Sequence, residues 1–164
     1  PLAGAVALEG QPLSRLSRRH IAQRMGLLAQ DLEDGFGSTV MESLLIGRHP
    51  HLSLLEREGP EDRRLALSAL GNVGLPGFAQ RSLETLSGGE QRRCAMAALL
   101  TQDPQVFLLD EPSNHLDPQQ QLAVLGLFKE QANRGRTVLA ILHDPTLAAR
   151  FADSALLLYG DGSW

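Results

Sequence analysis

Residues 86–117 read LSGGEQRRCAMAALLTQDPQVFLLDEPSNHLD, and the order of segments within this stretch decides the fold. Ser87 and Glu90 stand three residues apart ahead of an apolar helical pattern, which is typical of a capping box, so we predict that a helix begins here. The run VFLLD at 106–110 is continuously apolar and is closed by acidic residues and Pro112. This pattern predicts a strand that is buried on both faces of a parallel sheet.

The segments after this strand alternate between helix and strand patterns. We predict a helix over about 118–133, a strand over 137–142, a short helix from Pro145 and a strand over 155–159. Strand–helix–strand units of this kind form parallel sheets through right-handed crossovers. The sequence therefore predicts an α/β fold.

The segments before residue 86 contain helix signals and few strand signals. GLLAQD at 26–31 predicts a short strand, whereas residues 38–85 contain none and begin with a second capping box, Thr39 to Glu42. A helix over 60–73 is expected to bury a stripe of Leu67, Leu70 and Val73. We predict one domain over 1–164, in which 1–37 and 86–164 form the α/β core and 38–85 form a helical subdomain.

Composition excludes several kinds of protein. The net charge of −4 and the short, interrupted arginine clusters argue against nucleic-acid binding. Cys94 is the only cysteine, which excludes an intrachain disulfide and a cysteine-based metal site. No apolar run is long enough to span a membrane. Lys129 is the only lysine and follows LGLF, so the sequence contains no phosphate-binding G-x-x-x-x-G-K-[ST] loop.

Two short segments carry residues suited to phosphate chemistry. Asp110 and Glu111 stand at the carboxyl end of the predicted strand, where open α/β sheets bind ligands. One carboxylate can hold Mg²⁺ and the other can orient or deprotonate a water, although an acidic strand end closed by proline is also common. Gly88 and Gly89 leave the first N–H groups of the predicted helix bare, which suits a phosphate. The alternative is that small residues allow tight packing.

Five segments together resemble the nucleotide-binding ATPase subunits of ABC transporters. The resemblance lies in the signature LSGGE (86–90), the Walker B strand VFLLDE (106–111), the D-loop SNHLD (113–117), the switch-histidine region ILHD (141–144) and the Q-loop LLAQD (27–31). They follow the family's order and approximate spacing over most of the chain. The resemblance implies a P-loop NTPase-like fold with a parallel-rich sheet and a helical subdomain.

The resemblance also implies ATPase activity with ATP and Mg²⁺ as cofactors. Asp110 is expected to help hold Mg²⁺, and Glu111 to be the general base for the attacking water. His143 is expected to contact the γ-phosphate, and the alternative for it is a strand-end histidine satisfied by its neighbours. Gln30 is expected to approach the metal and the water.

The signature is expected to act on a second ATPase subunit. In a head-to-tail homodimer of the kind the family forms, each signature closes on the γ-phosphate of ATP held by the other subunit. Asp117 is expected at that dimer contact, and the residues expected to face the phosphate are Ser87, Gly88, Gly89 and Gln91. On this interpretation the helix is left bare because its phosphate arrives from a partner.

A narrower resemblance points to importers of iron–siderophore complexes, haem and vitamin B12. It is carried by the stretch before the Q-loop, residues 1–31, and by GRHPH at 47–51. It implies that residues 38–85 dock on a membrane permease, and that the protein is cytoplasmic and peripheral at the inner face of the cell membrane. The alternative is that this lobe only covers a sheet edge. His49 and His51, with one proline between them and no nearby thiolate, indicate a surface turn rather than a metal site.

Two other functions remain open on the sequence alone. One is a soluble ABC-type ATPase acting on ribosomes or nucleic acid, and the other is a non-catalytic binding module. HDPTLAARFAD at 143–153 resembles the importer pattern and the chain has no basic arm, so we expect no nucleic-acid partner. The family's Walker A loop would precede residue 1. We therefore expect a fragment that is incomplete at its N-terminus and inactive by itself.

Overall fold

The structure is a computed structural model that describes residues 4–30, 37–53, 55–114 and 116–159. Its strands are Ala7–Leu8 (β1), Gln11–Pro12 (β2), Met25–Leu28 (β3), Val106–Asp110 (β4) and Thr137–Ile141 (β5). Its helices are Arg18–Arg24 (α1), Val40–Ile46 (α2), Pro60–Asn72 (α3), Gly88–Gln102 (α4), Pro118–Asn133 (α5) and Pro145–Phe151 (α6). Short 3-10 turns occur at Leu13–Arg15, His49–His51 and Leu83–Thr85.

The central sheet is parallel and has the strand order β3-β4-β5. Leu28 pairs with Leu109, and Asp110 pairs with Ile141, so the three strands end at the same edge. The strands β1 and β2 form a separate antiparallel hairpin. The predicted α/β fold with a parallel sheet is confirmed.

One face of this sheet is covered and the other is not. On the covered face, Phe107 meets Phe128 of α5 edge to face at 5.6 Å, and Gly26 lies so close to Leu99 of α4 that a Cβ would come within 2.3 Å. The opposite face carries the paired row Leu27, Leu108 and Leu139, of which the two outer leucines are exposed. The prediction that 106–110 is buried on both faces is wrong, because only Phe107 and Leu109 on the covered face are buried, while the residues that alternate with them are partly exposed.

The helices α2, α3 and α4 pack together over the covered face. The predicted capping box of Thr39 and Glu42 begins α2, as expected. In α3 the buried residues are Ala66, Ala69 and Leu70, whereas Leu67 is exposed, so the predicted stripe is wrong at Leu67. The buried residues follow the spacing i, i+3, i+4 and i+7 from Ala66 to Val73, and Leu67 does not lie on that stripe. Since α4 contacts α2, α3 and also β3, it belongs by packing to both predicted parts of the domain.

The last predicted strand is not formed. Residues 155–159 are exposed and lie outside any regular element, because no strand in the described ranges pairs with them. The sheet therefore ends at β5, and α6 packs on α5. Residues 31–36, which include part of the predicted Q-loop and the boundary of the predicted helical subdomain, lie outside the described residues.

Candidate active site at the carboxyl end of the sheet

The sheet register brings three predicted site residues to one edge. Gln30 follows the end of β3 by two residues, Glu111 follows β4 directly, and His143 follows β5 by two residues. Because parallel strands end on the same side, residues that are 81 and 32 positions apart in sequence become neighbours. The structure thus brings together Gln30, Glu111 and His143.

The Glu111 carboxylate is the centre of this group. Its side chain is only 12% exposed, and both of its oxygens accept hydrogen bonds. Gln30 Nε2 donates to Oε2 at 3.3 Å, Asn114 Nδ2 donates to the same oxygen, and His143 Nε2 contacts Oε1. Because a carboxylate only accepts, the His143 contact requires the proton on Nε2. We call these four residues the Glu111 cluster.

Asn114 is a member of this cluster that the sequence analysis did not single out. The Asn114 backbone N–H donates to the Glu111 carbonyl at 3.2 Å, which closes a turn with Pro112 in its second position. Glu111 itself has φ of +47°, a left-handed conformation that costs a residue with a Cβ. This turn directs both side chains toward each other. The E-P-S-N order, with proline after the acid, is the sequence signal that could have predicted it.

A second residue that the sequence analysis missed is Arg92 of α4. Its guanidinium is buried, with 2% of the residue exposed, and donates to four backbone carbonyls at the strand ends. Nη1 binds the carbonyls of Ala29 at 2.5 Å and Gln30 at 3.1 Å, and Nη2 binds those of Asp110 at 2.5 Å and Glu111 at 2.9 Å. Burial lowers the pKa of Arg92, and the charges of the Asp110 and Glu111 side chains oppose that shift. The sequence signal that could have identified Arg92 was its charge at a position on the buried stripe of α4.

Asp110 has a surrounding that fits a Mg²⁺ ligand. Its carboxylate accepts no hydrogen bond from any residue in the described ranges, and it projects from the last position of β4. Within those same ranges no group of three His, Cys, Asp or Glu side chains is placed to form a metal site by itself. One free carboxylate fits Mg²⁺, which keeps most of its ligands as water and phosphate oxygens, better than it fits a metal held by protein alone.

The N-terminal end of α4, residues 87–91, is organised differently, and we call it the signature end. Glu90 and Ser87 form the predicted capping box, in which the Ser87 N–H donates to Glu90 Oε2 at 2.7 Å and the Ser87 hydroxyl donates to it at 2.9 Å. These bonds, the backbone N–H first, lower the pKa of Glu90 below its ordinary value of 4.5. The helix start is therefore stabilised by its own residues.

Gly88 has no structural requirement for glycine. Its φ is not in the left-handed region, and a Cβ placed on it would meet no heavy atom within 4 Å. Neither the backbone conformation nor internal packing excludes an added Cβ. The alternative that a small residue is needed here for tight packing is therefore wrong at Gly88. The space beside Gly88 is open to whatever approaches the signature end from outside.

Two further predicted site residues have local roles in this structure. The Gln91 amide donates to the Leu83 carbonyl at 3.4 Å, in the turn that precedes α4. Asp117 is the N-cap of α5 and accepts from the Gln120 N–H at 2.8 Å. Neither bonds to a member of the Glu111 cluster. Their predicted roles at a subunit contact stay predictions.

The GRHPH segment forms a turn that ties three parts of the chain together. His51 Nε2 lies 2.9 Å from the Gln102 carbonyl at the end of α4, and His49 Nε2 lies 3.0 Å from Glu58. Arg48 pairs with Asp62 at 2.8 Å, and both side chains are largely buried. These partners account for both histidines without a metal.

Comparison with known proteins defines the class of this fold and site. The family model described as ABC transporter matches residues 1–114. In solved structures, the chain superposes on a dimeric bacterial ABC transporter cassette with a TM-score of 0.78 and 27% identity, covering 92% of this chain and 67% of that one. A post-hydrolysis dimer of an ATP-binding cassette bound to ADP and Pi gives a TM-score of 0.76 at 27% identity, covering 90% and 66%. The chain belongs to the ABC transporter family, and its fold is that of the ATP-binding cassette.

Curated relatives are import subunits. The iron(3+)-hydroxamate import ATP-binding protein of Bacillus subtilis is 40% identical, covering 95% of this chain and 58% of that protein. The hemin import ATP-binding protein of Methylobacillus flagellatus is 39% identical, covering 96% and 61%. The chain therefore spans about three fifths of the length of these relatives. Across the described residues, no helix combines the length and the apolar character that crossing a bilayer requires.

Proposed function

We propose that this chain carries the hydrolytic centre and the signature of an ATPase subunit that drives import across a membrane. The observation that carries the proposal is the Glu111 carboxylate, held at the carboxyl end of a parallel sheet by side chains from three separate segments. Gln30 and His143 come from the ends of the two neighbouring strands. A carboxylate fixed in this way suits a general base better than a solvated acidic strand end does.

Each residue of the centre has a proposed task. Glu111 accepts the proton of the attacking water, and Gln30 orients that water. The two Glu111 oxygens accept three hydrogen bonds here, and loss of the His143 contact would leave Oε1 free to accept from the attacking water. His143 is the side chain that can leave, since it is 74% exposed, and it then donates to the γ-phosphate. Asp110 would hold Mg²⁺, which supplies positive charge to the phosphate oxygens when bound.

The signature end is proposed to complete the centre of a second subunit in a head-to-tail homodimer. The support is the open space beside Gly88, which the chain itself does not use. The N-terminus of a helix presents N–H donors and a partial positive charge, both of which bind phosphate. Ser87 and Gln91 flank these donors, and Asp117 is proposed to lie at the subunit contact. The dimeric state of the solved cassettes agrees with this arrangement.

The cargo is proposed to be an iron chelate, haem or cobalamin, with a membrane permease as the partner. The support is the identity of about two fifths to import subunits named for iron(3+)-hydroxamate and hemin. The helical subdomain 38–85 is the proposed docking surface, at the inner face of the cell membrane. Ile46 at the end of α2 is an exposed large apolar side chain beside the GRHPH turn, which suits a protein contact.

The docking proposal is tested by co-purification with a candidate membrane permease. Ile46→Asp is expected to abolish co-purification, because a charge at the centre of an apolar contact is costly to bury. Leu156→Asp is the matched control, since Leu156 is equally exposed but lies outside 38–85. Retention of the permease by the Ile46 variant, or equal loss by both variants, would contradict the proposed surface.

The hydrolytic proposal is tested with Glu111→Gln. Since this sequence contains no P-loop motif, the measurement uses the full-length gene product, with that motif added ahead of residue 1 if the gene does not encode it. The substitution keeps the size of the side chain and one acceptor oxygen but removes the base, so ATP binding is expected to persist while hydrolysis falls by about 10²-fold or more. Unchanged turnover would remove Glu111 from this role.

A further inference from the structure

We propose that Arg92 is a positioning residue that links the signature end to the Glu111 cluster within the same chain. The inference rests on the proposed function, because it concerns how the hydrolytic centre is held in place. No hydrogen bond joins residues 87–91 to the cluster in the described part of the chain. Arg92 is the next residue along α4, and it reaches both strand ends.

The guanidinium divides its donors between the two strands. Nη1 binds the carbonyls of Ala29 and Gln30 after β3, whereas Nη2 binds the carbonyls of Asp110 and Glu111 at the end of β4. The last pair that β3 and β4 share is Leu28 with Leu109, so sheet hydrogen bonds do not fix these carbonyls relative to one another. The guanidinium is planar and its fork is rigid. It therefore sets the spacing between the backbones of Gln30 and Glu111, whose side chains meet at 3.3 Å.

The burial of Arg92 indicates that it is not there for stability alone. Met96 and Leu99 follow it at helical spacing on the same buried stripe, and both are apolar. Replacing buried charges by apolar residues of similar volume is often neutral or stabilising. Arg92 keeps its charge although its Nε is buried and has no hydrogen-bond partner in the described structure. An arginine that is incompletely satisfied at this position is explained by the four carbonyls that it holds.

The position of Arg92 on α4 allows a movement of the signature end to be transmitted to the Glu111 cluster. Arg92 lies five residues after Ser87, which corresponds to about 7.5 Å along a helix. A helix segment of this length moves as a unit, and α4 is in close contact with β3 at Gly26. A phosphate that binds the signature end therefore displaces the Arg92 guanidinium, which sets the spacing between Gln30 and Glu111. In this way one chain's own hydrolytic centre responds to the nucleotide held by its partner subunit.

The test compares Arg92→Met with Arg92→Lys in the full-length gene product. Methionine removes both the positive charge and the forked guanidinium. Lysine keeps the charge, but its single nitrogen cannot bind the carbonyls of both strand ends. Both variants are expected to lower kcat by about 10–100-fold, because a displacement near 1 Å in a reacting group has effects of that size. The KM for ATP is expected to stay within about twofold, since ground-state binding is untouched. The NMR signal of the Gln30 side-chain amide is expected to shift in both.

Met96→Ala is the matched control, because Met96 is fully buried on the same stripe of α4 but does not bind the strand ends. It is expected to lower the melting temperature while leaving kcat and the Gln30 amide signal unchanged. An equal loss of kcat in Met96→Ala, or wild-type kcat in Arg92→Lys, would overturn the positioning role. If Arg92→Met does not fold, the lysine variant decides by itself. Hydrolysis that survives Glu111→Gln would instead show that the proposed function is wrong.

Discussion

The Glu111 cluster and the signature end are built on opposite principles. The cluster joins side chains 81 and 32 positions apart, and its members bind one another. The signature end uses contacts three residues apart, in which Ser87 and Glu90 satisfy each other. The members of the cluster are held by contacts within the chain, while the signature end stabilises a helix start and leaves open space beside Gly88 among the described residues. This difference indicates that a local capping motif can form a surface that acts on a second chain.

The largest expected effect comes from removing His143 from the Glu111 cluster. His143→Ala is expected to lower ATP hydrolysis by the full-length gene product by about 10²-fold or more, since it removes the side chain proposed to donate a hydrogen bond to the γ-phosphate. ATP binding should change little. His20→Ala is the control, because His20 lies on α1 and its side chain has no proposed role. Equal hydrolysis by both histidine variants, measured as phosphate release, would show that the cluster does not need His143.

At the signature end we expect a smaller effect, in which one substitution raises the stability of the fold and lowers ATP hydrolysis. Gly88→Ala should stabilise the fold by about 0.4–1 kcal/mol, because alanine fits the helical backbone and loses less entropy on folding. It should nevertheless lower hydrolysis, since the methyl group occupies the space proposed for a phosphate. Gly126→Ala in α5 is the matched control, where an added Cβ makes only an ordinary contact with Phe151 at 4.0 Å. Thermal unfolding and phosphate release distinguish the two variants, and undiminished hydrolysis by Gly88→Ala would contradict the proposal.

The smallest expected effect concerns pH and the two capping boxes. The pKa values of Glu90 and Glu42 lie below the ordinary 4.5, mainly because of backbone hydrogen bonds from Ser87 and Thr39. A carboxyl with a lowered folded pKa stabilises the fold above 4.5, and this stabilisation is lost as the pH falls through the folded value. Glu90→Gln and Glu42→Gln should each lower the melting temperature by about 1–3 °C at pH 7.

The two glutamine variants also separate the boxes by function. The difference in melting temperature from the parent should narrow below pH 4.5 in both, as protonation removes the charge that the substitution removes. Only Glu90→Gln is expected to change hydrolysis, because its box lies at the signature end. A difference in melting temperature that grows on acidification would reverse the sign of the argument.

The sequence predicted most elements whose signals are local. Both capping boxes, the strand at 137–141 and the helix that begins at Pro118 follow from residues within a few positions of one another. The strand expected at 155–159 failed because an apolar run becomes a strand only where a neighbour pairs with it. Leu67 was placed in the core by the spacing of the large apolar residues alone, but the buried stripe also includes Ala66 and Ala69 and leaves Leu67 exposed.

The site was predictable only in part. Motif order placed Gln30, Glu111 and His143 at one edge, because strand order alone brings them there. Asn114 and Arg92 were missed because their roles depend on a turn and on helix packing. Arg92 binds the backbone carbonyls of residues 62 to 63 and 18 to 19 positions away in sequence. Every residue type has a backbone carbonyl, so the sequence of the accepting residues gives little indication of these hydrogen bonds.

The most direct test of a site shared between two chains is the structure of the Glu111→Gln full-length gene product with ATP and Mg²⁺. The account predicts a head-to-tail dimer in which each γ-phosphate lies between position 111 of one chain and the signature end of the other. The backbone N–H of Gly88 and the Ser87 hydroxyl should then lie within hydrogen-bond distance of that phosphate. A γ-phosphate contacted by its own chain's Ser87, or one enclosed without any signature end, would contradict the account.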